Sequence, residues 1–313
     1  MDNLTHSLAG AVLGQMGLKR KTGLAIPTLI IAANLPDIDA VATLLGGHQH
    51  LAIRRGITHG PIAMLLLPLI LWAMMIGYDR WQTNRGTRPE NRLPVHAGWL
   101  LALAYIGTLS HPALDWLNNY GIRLLEPFSS QWFYGDTLFI IDIWIWIALI
   151  GGVWWSRRLE KRGASDWRRP ARTALVLTCT YILANYAITT AAERVADNIL
   201  VSRGTPRERM VVASPVPVAF WNREIKWRSG NRYGEGDYSL IGGLELPVES
   251  HYNNLGSYQK TEIAKTGADA QAFLFWSRMP YAENKPDGTL VIRDQRFDAS
   301  PVRSNFELIV KQP

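Results

Sequence analysis

A single cysteine in 313 residues leaves no second thiol for a disulfide. Cys179 therefore excludes a disulfide-stapled scaffold and a thiolate zinc site, and its place inside an apolar run argues against a cysteine nucleophile. Residues 193–313 lack any apolar run long enough to cross a bilayer, whereas residues 1–192 carry several. Repeats and low-complexity tracts are absent. A cleavable signal pattern is missing too: Lys19-Arg20-Lys21 follow the first apolar segment, whereas a signal peptide carries its charges ahead of it. Segment 4–18 is thus expected to remain as a short or half-membrane helix, with Thr5 as its cap and His6 near its start.

What the chain does contain is an acidic string in an apolar setting. Asn34-Leu35-Pro36-Asp37-Ile38-Asp39 lies inside the otherwise apolar run 24–45. An aspartate at the centre of a membrane helix costs roughly 2.5–3.5 kcal/mol on insertion scales. Two of them call for a metal ion, a fixed cation or a water-filled cavity, since uncompensated buried acids protonate. On a straight helix, residues i and i+2 point about 200° apart and do not converge. Pro36 lacks the amide donor and clashes with the preceding turn, so a break there could aim both carboxylates into one cavity.

Hydropathy predicts an α-helical integral membrane domain over residues 1–192, with the short N-terminal helix and about five spans at 24–45, 61–78, 95–110, 137–155 and 173–192. Residues 193–313 are expected to form a β-rich extracytoplasmic domain, with strands at 210–213, 219–227, 272–276 and 289–292 and turns at Gly234-Glu235-Gly236-Asp237 and Pro286-Asp287-Gly288. Loops 19–21, 79–94 and 156–172 hold 14 Lys and Arg, against 3 in loops 46–60 and 111–136. The positive-inside rule then puts the basic loops in the cytoplasm and the C-terminal domain outside. Much of the +7 net charge is topological in this reading, and no nucleic-acid partner is expected.

With that topology, His6, Asp37, Asp39, His59, His111 and Asp115 all fall at the outer ends of their segments, although the charge count used none of them. His111 and Asp115, at i and i+4, share one helix face. Asn34, Asp136 and Asp142 lie close enough to support such a site. His48, His50, His96 and His251 read as ordinary surface histidines, and Trp132, Trp154, Trp155 and Tyr186 as an interfacial aromatic belt.

Four motifs in order, Thr5-His6, LPDID at 35–39, Arg55-Gly56-Ile57-Thr58-His59-Gly60 and His111-x-x-x-Asp115, resemble the YdjM-type membrane-bound metal-dependent hydrolases of bacteria. The string from Gly135 to Asp142, with the polar tail, is similar to the longer members. More remotely, the His/Asp pattern is similar to zinc-dependent phospholipase C. The resemblance implies a bacterial inner-membrane protein with His6, Asp37, Asp39, His59, His111 and Asp115 as metal ligands. It names no substrate.

Mixed imidazole and carboxylate ligands suit zinc or manganese, and six exceed what one tetrahedral zinc takes. More than one divalent ion is therefore expected, with Asp37 or Asp39 bridging. Two ions about 3.5–4 Å apart could activate water and hold the oxygens of an in-line displacement at phosphorus. Asp37, Asp39 and His111 are the candidate catalytic residues. Arg54 and Arg55, just ahead of His59, are candidates for holding a phosphate. The expected function is a metal-dependent hydrolase of a small or lipid-type phosphoester, reached from the membrane lipid. Its alternatives are a metal-binding transporter, which would spread its acids across the membrane depth, and a scaffold with a structural metal. The motifs leave the oligomeric state open.

Overall fold

A computed structural model describes residues 1–247, 251–252, 255–298 and 306–310. The apolar runs become helices: α1 (Asn3–Gln15), α2 (Ala25–Asn34), α3 (Gln49–Ile53), α4 (Pro61–Asn84), α5 (Ala97–Trp116), α6 (Ile143–Lys161) and α7 (Arg169–Ser202). Among the described residues three stretches, Ala25–Leu45, Pro61–Asn84 and Arg169–Ser202, are long and apolar enough to cross a membrane. Helices α5 and α6 are also 20 and 19 residues long, but the polar end of α5 and the basic end of α6 dilute their apolar windows. Asp2, not Thr5, caps α1: its carboxylate accepts from the Leu4 and Thr5 amides. The α-helix of α2 stops at Asn34, ahead of Pro36, and continues as 3-10 turns from Leu35 to Leu45.

The chain divides into two compact units: residues 1–39 with 55–184, and residues 40–54 with 185–313. The division into units falls at Ala184/Asn185, within α7, and the segment Ala40–Arg54 joins the second unit.

In the first unit, Leu29 and Ala32 of α2 face Leu100, Leu103 and Ala104 of α5, and Leu71 and Met75 of α4 close the layer. Gly107 sets the α2–α5 approach: a Cβ there would come within 2.6 Å of Ala32 Cβ and 3.0 Å of the Leu29 carbonyl oxygen. Small residues let membrane helices approach this closely. Helix α4 leaves Leu65, Leu66, Leu69, Ile70 and Met74 exposed, an apolar face suited to lipid.

The second unit carries two antiparallel sheets. The first has strands β1 (Arg209–Pro215), β2 (Asn222–Ser229), β3 (Arg232–Ser239) and β4 (Gly243–Glu245) in sequential order, with β5 (His251–Tyr252) also paired to β3. Ala192, Ala196 and Leu200, one stripe of α7, pack on Ala213, Ile225, Trp227 and Leu246. After helices α8 (Ser257–Ala264) and α9 (Ala268–Trp276), strands β6 (Pro280–Asn284), β7 (Leu290–Asp294) and β8 (Glu307–Val310) form the second sheet in sequential order.

Two expectations change here. Residues 272–276 are helical: Phe273 and Trp276, at i and i+3, are both fully buried, and a short apolar run does not by itself distinguish strand from helix. Gly234–Asp237 is mid-strand rather than a turn, because Gly234 lies under Trp227, whose ring a Cβ would meet at 2.7 Å. The Pro286-Asp287-Gly288 turn is present, with the Thr289 amide donating to Asp287 Oδ1 at 2.9 Å. In this unit α3 packs on α9, and the His48 amide donates to Asp269 Oδ1 at 3.1 Å.

Candidate metal centre

Helix α5 presents His111 and Asp115 one turn apart, as their i, i+4 spacing requires. The close α2–α5 crossing brings His111 onto the end of α2. Pro36 has no N–H to offer the Ala33 carbonyl three residues back, and His111 Nδ1 donates to that oxygen at 2.6 Å. A carbonyl only accepts, so Nδ1 carries a proton and Nε2 is the nitrogen that His111 turns inward.

His59 is oriented the same way by different means. The Thr58 hydroxyl donates to Asp39 Oδ2 at 2.8 Å, and its oxygen lies 3.0 Å from His59 Nδ1. Asp39 Oδ2 itself is 3.5 Å from that nitrogen and accepts from the Arg55 amide at 2.7 Å. The His59 Nδ1 therefore carries a proton, facing Thr58 and Asp39, and Nε2 again turns inward.

The two Nε2 atoms are 3.1 Å apart. Asp115 Oδ2 lies 3.6 Å from each, and Asp37 Oδ1 lies 3.8 Å from His111 Nε2. Asp37, His59, His111 and Asp115 each contribute one ligand atom to a group lying within 4.8 Å of one another, and all four residues are buried. Asp115 Oδ2 accepts no hydrogen bond; Arg55 Nε is 2.9 Å away but not in hydrogen-bond geometry. Lone pairs thus face one another in a buried pocket, an arrangement that a cation relieves. The spacings suit ligands around one ion bonded at about 2.0–2.2 Å. The donor set is two imidazoles and two carboxylates, a group that could hold a metal ion.

The other candidates take different positions. His6 stacks on His111 with ring centroids 3.8 Å apart, and its Nε2 is 3.3 Å from Asp115 Oδ1, so it touches the group without joining the four. Its buried Nδ1 has no hydrogen-bond partner. Asp39 stands behind His59. Arg55 is buried: it donates from Nη2 to Asp115 Oδ1 at 3.1 Å and from Nη1 to Asn118 Oδ1 at 2.9 Å, with its guanidinium over the Tyr120 ring. Its backbone is left-handed, φ 54°, strain of the kind that persists where surrounding contacts fix it. The Met1 amino group also lies against Asp115 Oδ1.

Arg54 is half-buried and falls in the second unit. Asn34 ties α2 to α1 by donating to Ser7 Oγ at 3.0 Å. Asp142 caps α6 and accepts from Tyr181 at 3.0 Å. Asp136 is buried in the connector with φ 47° and lies outside the four-residue group. Thr58, Asn118 and the Ala33 carbonyl are positioning groups that the sequence reading did not single out. Only Thr58 carried a signal, its place next to His59.

Residues 1–192 match the family described as YdjM inner membrane protein. The match does not extend to phospholipase C. No curated protein and no solved structure matches the chain.

Proposed function

Since this chain belongs to the YdjM inner membrane protein family, we propose that it is a multi-pass membrane hydrolase of a phosphoester, built on the His/Asp group. One observation carries the reading: four buried ligand atoms converge, and two of them are imidazole nitrogens whose protons are committed elsewhere. A divalent ion held by Asp37, His59, His111 and Asp115 would supply Lewis-acid polarisation of a phosphoryl oxygen. The protein's own part is to fix that seat. Asp39 and Thr58 hold the His59 tautomer, the Ala33 carbonyl holds that of His111, and Arg55 keeps Asp115 ionised. His6, beside Asp115 and His111, is the residue through which a second ion would be recruited.

A lipid-type substrate is favoured by what flanks the ligands. Ile38, between the two aspartates, is 55% exposed, and Ile57, two residues before His59, is 63% exposed. Apolar side chains left open beside a polar pocket suit a ligand that arrives from the bilayer. In the full reading five spans place this site and residues 193–313 on the outer side, following the 14 to 3 distribution of Lys and Arg. Of the two arginines ahead of His59, Arg55 lies in the same unit as the ligands and is proposed to meet the phosphate.

Detergent-purified protein should contain near-stoichiometric zinc or manganese and hydrolyse a phosphodiester reporter, and His111→Ala should lose both. The second reading, a scaffold with a structural metal, draws on the number four, which is a complete tetrahedral set. Metal retained with no exchangeable solvent or anion on it, and no hydrolysis of any phosphoester, would decide for the scaffold. Reporters fused after Pro313 and inserted near Ser165 should read extracytoplasmic and cytoplasmic respectively; reversal would move the site to the other face.

A further inference from the structure

Along one face of α6 the chemistry changes abruptly. Ile150, Val153 and Trp154 are followed, at i+3 and i+4 steps, by Arg157, Arg158 and Lys161, with Arg162 beside them. With Leu8 of α1, these residues line a cavity of about 620 Å³. Seven residues at 1.5 Å each give about 10 Å of apolar wall from Ile150 to Arg157, and about 8 Å more of basic wall to Arg162. None of these residues belongs to the His/Asp group.

The four cations stand close together along the groove. Glu160, in the same turn, is drawn instead to Lys19. Among the described residues no carboxylate lies within ion-pair distance of Arg157, Arg158, Lys161 or Arg162. Like charges at i, i+4 destabilise a helix, so an anion seated here would relieve strain the helix otherwise carries. Trp154 is 60% exposed, and the Arg158 guanidinium lies over its ring at 5.3 Å. An exposed Trp topped by a cation marks the depth at which hydrocarbon gives way to headgroups.

A soluble anion would need no apolar wall, and a bare charged membrane surface would need no groove. We propose that this groove is a binding site for one anionic phospholipid, with an acyl chain along Leu8, Ile150 and Val153 and its phosphate among the arginines. Basic pockets between membrane helices hold anionic headgroups by this combination of charge and shape.

The test uses the full chain in neutral detergent, with bound lipid counted by native mass spectrometry. Phosphatidylglycerol should be retained over phosphatidylcholine of the same chains by roughly tenfold. Arg157→Gln/Arg158→Gln, and the version adding Lys161→Gln and Arg162→Gln, should erase that preference. Val153→Trp, which fills the groove and leaves the charge alone, should displace both lipids. Glycerol 3-phosphate, a headgroup without a tail, should compete poorly. Equal retention of the two lipids, a preference that survives the Gln variants, undiminished binding to Val153→Trp, or glycerol 3-phosphate competing as well as lipid would each overturn the proposal. Thermal melting of each variant shows that it has folded. The double Gln variant and Val153→Trp stand as separate tests should the quadruple variant not fold.

Discussion

Asp115 in the helical unit and Asp294 in the C-terminal unit are buried to the same degree, 0% and 1% exposed, but their surroundings differ in kind. Asp294 is fully answered. Arg296 donates to it from Nε at 2.8 Å, from Nη2 at 2.9 Å and from its amide at 3.0 Å, while Ser277 adds a hydroxyl at 2.6 Å and Met279 an amide at 3.2 Å. Asp115 has donors on Oδ1, while Oδ2 accepts no hydrogen bond: the Arg55 guanidinium lies 2.9 Å from it outside hydrogen-bond geometry, and it also faces two imidazole nitrogens and a second carboxylate. A carboxylate whose lone pairs are all taken is a structural anchor. One whose remaining lone pair converges with other lone pairs could seat a cation. Burial alone does not separate the two; the count of donors does.

The largest expected effect breaks the seat. His111→Ala removes one of four ligand atoms, and metal affinity measured on the purified protein should fall by more than about a hundredfold, beyond the range seen when a supporting residue is lost. The C-terminal unit should melt unchanged. The converse change is Asp294→Asn, which leaves Arg296 buried against a neutral partner and should cost that unit about 3–5 kcal/mol in denaturant unfolding. Metal content should stay at the wild-type level. If Asp294→Asn lowered metal affinity as much as His111→Ala, the distinction between anchor and seat would fail.

The seat was more legible in the sequence than the anchor, for a physical reason. Two aspartates in an apolar run, and a His/Asp pair on one helix face, are anomalies that composition exposes directly. Asp37, His59, His111 and Asp115 accordingly come together. Asp39 pairs with Asp37 on sequence proximity, and the 3-10 turns after Pro36 place it behind His59. Asp142 looked equally anomalous and is a helix cap, which a residue just ahead of an apolar helix should have suggested. Asp294 and Arg296 gave no signal, because charged residues in a polar, strand-forming region are unremarkable until the fold buries them. The helix at 268–276 was hidden for the complementary reason: five apolar residues fit either periodicity, and packing of Phe273 and Trp276 decides. Residues 40–45 read as the end of the first span and 46–60 as a loop, and only contacts distant in sequence, such as His48 with Asp269, assign Ala40–Arg54 to the second unit.

Acid sharpens the comparison on the anchor side. Burial works to raise the Asp294 pKa, but the charge and hydrogen bonds of Arg296 prevail, with Ser277 assisting, and hold it at about 2. A folded pKa below the unfolded value means that the contribution is complete above about 4 and is lost as pH falls towards 2. Its size is about 2 kcal/mol. Amide exchange across β7 should therefore quicken between pH 4 and 2, and Asp294→Asn should abolish most of that dependence. Protection that strengthens on acidification would contradict an ionic anchor.

The smallest expected effect concerns Asp39, which belongs to neither class. It reaches the group through His59 and Arg55, accepting from Thr58 and the Arg55 amide while its charge faces the imidazole edge opposite Nε2. Asn at this position keeps an acceptor oxygen for those two donors and removes only the charge. Metal affinity should then fall by roughly tenfold, the lower end of what losing a residue behind a ligand costs. Asp39→Ala, which also frees the Arg55 amide and the Thr58 hydroxyl, should fall further, because the left-handed turn at Arg55 loses its tie as well. The order to look for is His111→Ala, then Asp39→Ala, then Asp39→Asn, with folded protein in each case. If Asp39→Asn matched His111→Ala, Asp39 would have to move into the ligand set when metal binds, and the convergence that Pro36 was expected to produce would occur only in the loaded protein.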